Sequence, residues 1–480
     1  MPSFSHLAPR AAAGLFLVVA SAQCGARTSL QAEGGSAAGG AGGATTTTTS
    51  GGGGEGGEGG TIIPEPPCRL EVMGHAVQAI ATPSSNASSP SIVAIAPESP
   101  GTPSHIAIQA LTSIEPHPVN VVGRWRLAED WPEGADIVEL PTIFGIESHS
   151  WGATAPTPDG TGLAMMWFSD PGFEGRVAFR QLDFASWEGG PNVDLSFEGG
   201  GPIALGSGAG VGDFGVGHAG LGYAAVWRQS VDTGMGFFAQ PQIAILDEQG
   251  SIQLGPHPLG PLVESPGVSP SIAWSGESYL IATSWGSCQT PDCPGELTLH
   301  RFRPASGDEI DDSGIDLVWS EDVPDTANRP VIASHEGRTW MAYVVGPDAD
   351  DAPQMVVARE LSGDGSRLGE PIVVDASTLP TGGLRLTAAP FGLVMMWATD
   401  GDDPSLTPED VGYTQLQIRH LGFDGVEASP PLSVPATQYV SSGPTALAAV
   451  EAPRGIAFTW AGTGGGPDVA YLGLLRCGTE

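Results

Sequence analysis

The sequence predicts an all-β fold: a seven-bladed β-propeller of four-stranded blades, closed by pairing of an N-terminal strand with the last blade and preceded by a disordered tether. Three observations predict it. A short phrase recurs at even intervals, turn glycines recur at the same interval, and the composition suits strands better than helices. Only 15% of residues are charged, while Gly numbers 70 and Pro 43. Helices need periodic runs of Lys, Glu, Leu and Ala, and tight turns between strands need Gly and Pro.

The recurring phrase is small–aliphatic–aliphatic–aromatic. It reads "HIAIQAL" from His105, "GLAMMWF" from Gly162, "GYAAVWR" from Gly222, "YLIATSW" from Tyr279, "WMAYVV" from Trp340, "GLVMMWA" from Gly392 and "GIAFTWA" from Gly455. Successive phrases end roughly 52–63 residues apart, the length of one four-stranded blade. A strand and turn precede each phrase, as in Pro270–Ser278 and Pro330–Arg338. A third strand, a Gly turn and a fourth strand follow, as in "MVVARELSGDGSRL" and "LQIRHLGFDGVEA". The turn glycines Gly250, Gly307, Gly365 and Gly425 keep the same step, and Asp364-Gly365 and Asp424-Gly425 fit tight hairpins that need positive φ. The Trp and Met positions of the phrase are expected in the core between blades.

Before the repeats stands an export-type N-terminus. Arg10 ends a short n-region, and Ala11–Ala22 is an apolar stretch too short to span a bilayer. Two cleavage readings compete. "ASA" at Ala20–Ala22 fits ordinary signal peptidase; "SAQC" at Ser21–Cys24 resembles a lipobox, with Ser21 in place of the usual Leu and Gln23 in place of the usual small residue. The cysteines favour lipidation at Cys24. Removing Cys24 from the 5 cysteines leaves Cys68, Cys288, Cys293 and Cys477, an even set for an exported chain. The domain plan is therefore a signal peptide over 1–23, a Gly/Thr-rich tether over 24–66 and a propeller over 67–480. The tether lacks any apolar period that could offset the entropy of ordering it. At Gly-rich stiffness it reaches about 30–35 Å.

The last repeat supplies only three strands, so "CRLEVMGHAVQAI" (Cys68–Ile80) is expected to complete it, placing Cys68 beside Cys477 for a disulfide at the seam. Cys288 and Cys293 flank a Pro-containing turn and can bridge within one loop. "PSIAWSGESYLIATSW" (Pro270–Trp285) resembles bacterial exported or surface lipoproteins built on repeated P-x-[VI]-A-x-x-G-x-x-Y-L-[VI]-x-x-W units. The resemblance covers most of Cys68–Glu480. It implies propeller-type repeats and brings no catalytic residues with it.

The net charge of −36 excludes clustered basic surfaces for nucleic acid or anionic lipid. "SHEGRTW" (Ser334–Trp340) falls one residue short of the sialidase Asp-box and reads as a hairpin turn. "GVGDFG" (Gly210–Gly215) matches G-x-G-x-x-G without the βαβ setting of a nucleotide site. No G-x-S-x-G or H-E-x-x-H occurs. The loops after the phrase carry Asp348, Asp350 and Asp351, then Asp400, Asp402 and Asp403; they read either as solvated acidic loops with no cofactor or as oxygen-rich sets that would hold calcium. The functional expectation is a non-enzymatic, monomeric cell-envelope lipoprotein, on the outer membrane or cell surface, or alternatively periplasmic or secreted. Its propeller would bind a protein or glycan, and only its lipid would touch the membrane. The alternative is an exported polysaccharide hydrolase or lyase.

Overall fold

The computed structural model describes residues 68–80, 88–95, 104–114, 117–127, 133–140, 148–158, 161–169, 176–183, 186, 190, 193–198, 203–207, 221–232, 237–262, 270–286, 295–303, 314–323, 328–346, 354–376, 381–399, 413–451, 453–463 and 469–478. By contacts the chain divides into Met1–Ile63 and Pro64–Glu480, and all described residues belong to the second unit. Cys24, the tether, Cys288, Cys293, Gly307 and the six loop aspartates lie outside them.

Among the described residues every regular element is a β-strand. Strand β1 is Arg69–Ile80. Sheet I holds β2 (Ser88–Ile95), β3 (His105–Ile114), β4 (His117–Arg126) and β5 (Glu133–Leu140). Sheet II holds β6 (Ser148–Pro156), β7 (Gly162–Ser169), β8 (Arg176–Asp183) and β9 (Val193–Glu198). Sheet III holds β10 (Ile203–Ser207), β11 (Leu221–Asp232), β12 (Phe237–Asp247) and β13 (Ile252–Pro258). Sheet IV holds β14 (Ser271–Trp274), β15 (Tyr279–Gly286), β16 (Gly295–Phe302) and β17 (Ile315–Val323). Sheet V holds β18 (Asn328–His335), β19 (Arg338–Val345), β20 (Met355–Leu361) and β21 (Arg367–Asp375). Sheet VI has seven strands: β22 (Thr381–Ala389), β23 (Gly392–Thr399), β24 (Tyr413–Leu421), β25 (Glu427–Glu451), β26 (Arg454–Thr463) and β27 (Val469–Gly478), with β1 on its edge beside β27.

All strand pairs are antiparallel, and the sheets form a propeller ring in which first strands adjoin one another: β2 meets β6, and the series continues through β10, β14, β18, β22 and β25 back to β2. The sheet count corrects the expectation of seven separate blades, because the ring has six sheets. The physical cause is β25, one strand of 25 residues where the other repeats have a crossover loop. Its first part pairs with β24 and its second with β26. Apolar residues of β23 and β24 then pack against β26, β27 and β1, including Met396, Ile418, Phe458 and Leu70, so this long sheet folds back on itself. The expected closing strand is present: Leu70 lies opposite Cys477, and Cys68 and Cys477 are joined by a disulfide across a sequence separation of 409.

The recurring phrase is the second strand of each repeat, buried on both faces. Met165 and Trp167 point to sheet I while Met166 points to sheet III. Met395 and Trp397 likewise face sheet V, and Met396 faces the opposite way. The opening glycine has its own cause. A Cβ on Gly162, Gly222, Gly392 or Gly455 would stand 2.6, 2.4, 2.3 or 2.0 Å from the carbonyl oxygen of Leu182, Asp247, Leu421 or Leu475 at the end of the third strand. The phrase begins with a small residue because the neighbouring backbone occupies that space.

Candidate functional site

Antiparallel order puts the turns between first and second, and between third and fourth, strands at one end of the ring. Connections between second and third strands leave from the other end. The segment with Asp348, Asp350 and Asp351 joins Val345 to Met355, and that with Asp400, Asp402 and Asp403 joins Thr399 to Tyr413. Both therefore spring from the same end of adjoining sheets V and VI. The strand ends beneath them bury polar groups: Gln354 is 6% exposed and Thr399 2%. Among the described residues no group of three or more His, Cys, Asp or Glu side chains is gathered as a metal site.

The opposite end is built of near-identical turns. Gly365 N–H donates to the Ser362 carbonyl and Ser362 N–H to Ser366, a type I turn completed by a left-handed glycine. The same pattern closes at Gly250 and Gly425, where φ is 83° and 79°. Each turn lies over the preceding sheet. A Cβ on Gly250 would meet Phe179, one on Gly365 would meet Leu299, and one on Gly425 would meet Ile372. Ser275 and Ser278 hydroxyls donate to the Gly363 carbonyl at 2.7 and 2.9 Å, fastening sheet IV to the turn of sheet V. Hydrogen bonds from Ser362 Oγ, then from Ser366 N–H, hold the Asp364 carboxyl down at about 2. The near-Asp-box is a hairpin, as its sequence implies: Glu336 and Gly337 both have positive φ, and Ser334 and Thr339 hydroxyls meet at 2.8 Å.

Several charged side chains lie between sheets. Arg359, 5% exposed, donates from Nη1 to Glu321 at 3.0 Å, and Arg367 reaches the same carboxylate at 2.9 Å while its guanidinium lies 4.2 Å from the Trp319 ring centre. Burial beside this group raises the Tyr343 hydroxyl above its ordinary range, with the Arg359 charge acting against it. Arg419 pairs with Asp375 at 2.5 Å and lies over Trp397. Arg338 pairs with Glu360 at 2.6 Å and covers Phe423. These are clamps between neighbouring repeats.

A nucleophile–base geometry occurs once among the described residues. Ser429 Oγ lies 2.7 Å from His420 Nδ1 and accepts the Leu70 N–H at 3.0 Å. His420 Nε2 faces the Phe391 carbonyl at 3.1 Å, so Nε2 carries the proton and Ser429 donates to Nδ1. Both side chains are buried, at 3% and 2% exposure, and the third partner is a carbonyl in place of a carboxylate. The arrangement pins β1 to sheet VI and presents no hydroxyl to a substrate. Burial lowers the His420 pKa and keeps the ring neutral.

Sequence reasoning missed the basic position in the third strands, Arg180, Arg359 and Arg419. Its signal was visible as R-x-L at residues 180–182, 359–361 and 419–421.

No protein-family model matches the chain, and no curated protein matches it in sequence. Among solved structures, a polysaccharide lyase aligns at 10% identity over 88% of this chain and 94% of its own, with a TM-score of 0.44. An apocarotenoid oxygenase variant from Synechocystis aligns at 9% identity over 83% and 95%, with a TM-score of 0.43. An acylaminoacyl peptidase aligns at 12% identity over 84% of this chain and 54% of that one, with a TM-score of 0.46.

Proposed function

We propose that the chain is a non-enzymatic cell-envelope lipoprotein whose ring is a scaffold for binding a protein or a glycan. The observation that carries this reading is the Cys68–Cys477 disulfide, since persistent structural disulfides belong to oxidising compartments outside the cytosol. Export by residues 1–23, lipidation at Cys24 and a tether over 24–66 would hold the ring away from a membrane surface. In this reading the two halves of sheet VI act as two blades, so seven loop positions surround the ring. The loops bearing Asp348–Asp351 and Asp400–Asp403 belong to the binding face and hold calcium. A rigid ring with variable loops is the usual way a scaffold carries a site. The outer strands suit a monomer: Pro256 and Pro258 in β13, Pro371 in β21 and Pro430 and Pro431 in β25 interrupt edges that could otherwise recruit another strand.

Metabolic labelling with a fatty-acid analogue tests the anchor. Label should enter the wild-type chain and disappear in Cys24→Ala; an unlabelled mature chain starting at Gln23 rules lipidation out. A pull-down and a glycan panel with the ring test binding, and polysaccharide turnover would move the protein to the exported hydrolase or lyase class. Added calcium should raise the melting temperature by mass action. Asp350→Ala or Asp402→Ala should abolish that rise, and no rise in the wild type removes the metal from the reading.

A further inference from the structure

The third strands of sheets II, IV, V and VI carry a basic residue at one register position. Arg180 lies opposite Met165, His300 opposite Ile281, Arg359 opposite Met341 and Arg419 opposite Met395. Two residues on, Leu182, Phe302, Leu361 and Leu421 each pack into a cluster shared with the preceding sheet. Side chains two apart on a strand share a face, so all four basic groups point at the preceding sheet.

Sheets IV and V answer with a carboxylate on the fourth strand. Glu321 sits opposite Leu297, five residues before Phe302, and Asp375 sits opposite Val356, five before Leu361. In sheet III the residue five before Leu246 is Pro241, and its carbonyl accepts the N–H of Leu259 at 2.9 Å. Leu259, buried at 2% exposure, therefore stands where sheets IV and V place an acid. Facing it, sheet IV carries His300, 6% exposed, whose Nε2 has no hydrogen-bond partner among the described residues.

We propose that the interface between sheets III and IV is an acid-labile joint of the ring, in which protonation of His300 places a buried cation without a counter-charge and opens this joint before the others. The surrounding elements favour the neutral state. From sheet III, β12 contributes Ile243 and Ile245, and β11 contributes Ala224 and Val226. By register, Arg228 on β11 and His257 on β13, opposite Ile243, point to the same interface. From sheet IV, β14 contributes Ile272 and Trp274, and β15 contributes Ile281 and Tyr279, whose hydroxyl donates to the Gly222 carbonyl at 3.4 Å. Among the described residues, the carboxylates on this face of sheet IV are Glu296 and, opposite it, Asp322, one turn of the pleat beyond Thr298 toward the other end of the strand. Glu296 already accepts the Ser320 hydroxyl at 2.5 Å.

Burial alone holds the His300 pKa at about 4, below its ordinary 6.5. The closed joint thus prefers neutral imidazole and the open joint restores ordinary proton affinity. The closed state is fully favoured above pH 6.5 and loses that preference as pH falls toward 4. Between pH 7.5 and 5 the opening equilibrium should rise about 30-fold, from these two pKa values.

Hydrogen exchange of the full-length protein at pH 7.5 and 5.0, corrected for intrinsic exchange, tests this. Amides of β12, β13 and β16 should open about 30-fold more at pH 5 relative to those of β20 and β24, and should recover on neutralisation. His300→Gln, and independently His300→Leu, should remove that excess. An acid response spread evenly over all interfaces overturns the joint. So does one that begins at β1, β24 and β25 around His420, or one that persists in both variants.

Discussion

The interfaces on the two sides of sheet IV answer the same problem differently. Toward sheet V, Arg359 and Arg367 share Glu321, and Arg367 stacks against Trp319. Toward sheet III, Leu259 takes the equivalent place of that acid by register, and burial keeps His300 neutral. A buried guanidinium cannot discharge, so it requires an acid on the neighbouring sheet; an imidazole can simply lose its proton. The comparison shows that the repeats are matched across the IV–V and V–VI interfaces, where the cation of one sheet meets an acid on the fourth strand of the sheet before it.

The largest expected break of this contrast is Glu321→Ala. It leaves the Arg359 guanidinium, 5% exposed, without its counter-charge, and should cost about 3–5 kcal/mol in urea unfolding. His300→Leu at pH 7.5 should cost less than about 1 kcal/mol, because a neutral side chain without a partner for Nε2 is replaced by an apolar one of similar volume. If both changes cost the same, the two interfaces are not built on different terms. His300→Arg combined with Leu259→Glu should recreate the clamp, and should be more stable than His300→Arg alone.

The seam gives the next test. β1 is held by pairing with β27, by the Leu70–Ser429–His420 hydrogen bonds and by the Cys68–Cys477 disulfide. Replacing both cysteines with serine should lower stability by about 2–4 kcal/mol, with the loss concentrated in exchange of β1 amides. Unchanged β1 protection would mean that strand pairing alone carries the closure.

The propeller was legible in the sequence because each repeat writes its second strand in the same residues and its turns in the same glycines. The closing strand was legible because the last repeat runs short of strands. The union of the last repeats into one sheet was not. Pro430, Pro431 and Pro435 fall in the outer half of β25, where a strand tolerates a missing N–H on its free side, and β25 continues through them. The basic series was written plainly, but its meaning depends on which sheet each face meets. A lone histidine at position 300 shows nothing until Arg359 and Arg419 are seen in the same register. The aspartate loops depend on side-chain positions that spacing does not set.

Gly392 sharpens the comparison at the backbone. Its φ is 133°, and a Cβ there would stand 2.3 Å from the Leu421 carbonyl oxygen. Gly392→Ala should therefore cost about 2–3 kcal/mol, read as a lower urea midpoint. A cost below about 0.5 kcal/mol would show that the third strand can shift to admit the methyl group.

The smallest effect is expected at the exposed counterpart of the buried clamp. Arg338 reaches Glu360 at 2.6 Å and the Phe423 carbonyl at 2.6 Å, and its guanidinium lies 5.2 Å from the Phe423 ring centre. These contacts resemble those of Arg359 and Arg367 around Glu321 and Trp319. The difference is water: the Arg338 side chain is 44% exposed and that of Arg359 only 6%. Removal of Glu360 leaves Arg338 free to turn into solvent, so little desolvation penalty is stranded. Glu360→Ala and Arg338→Ala should each cost about 0.2–1 kcal/mol, shrinking further in added salt. The Glu321 variant should keep most of its loss in the same salt, because its stranded guanidinium stays out of reach of counter-ions. If the two pairs respond alike to salt, burial is not what separates them.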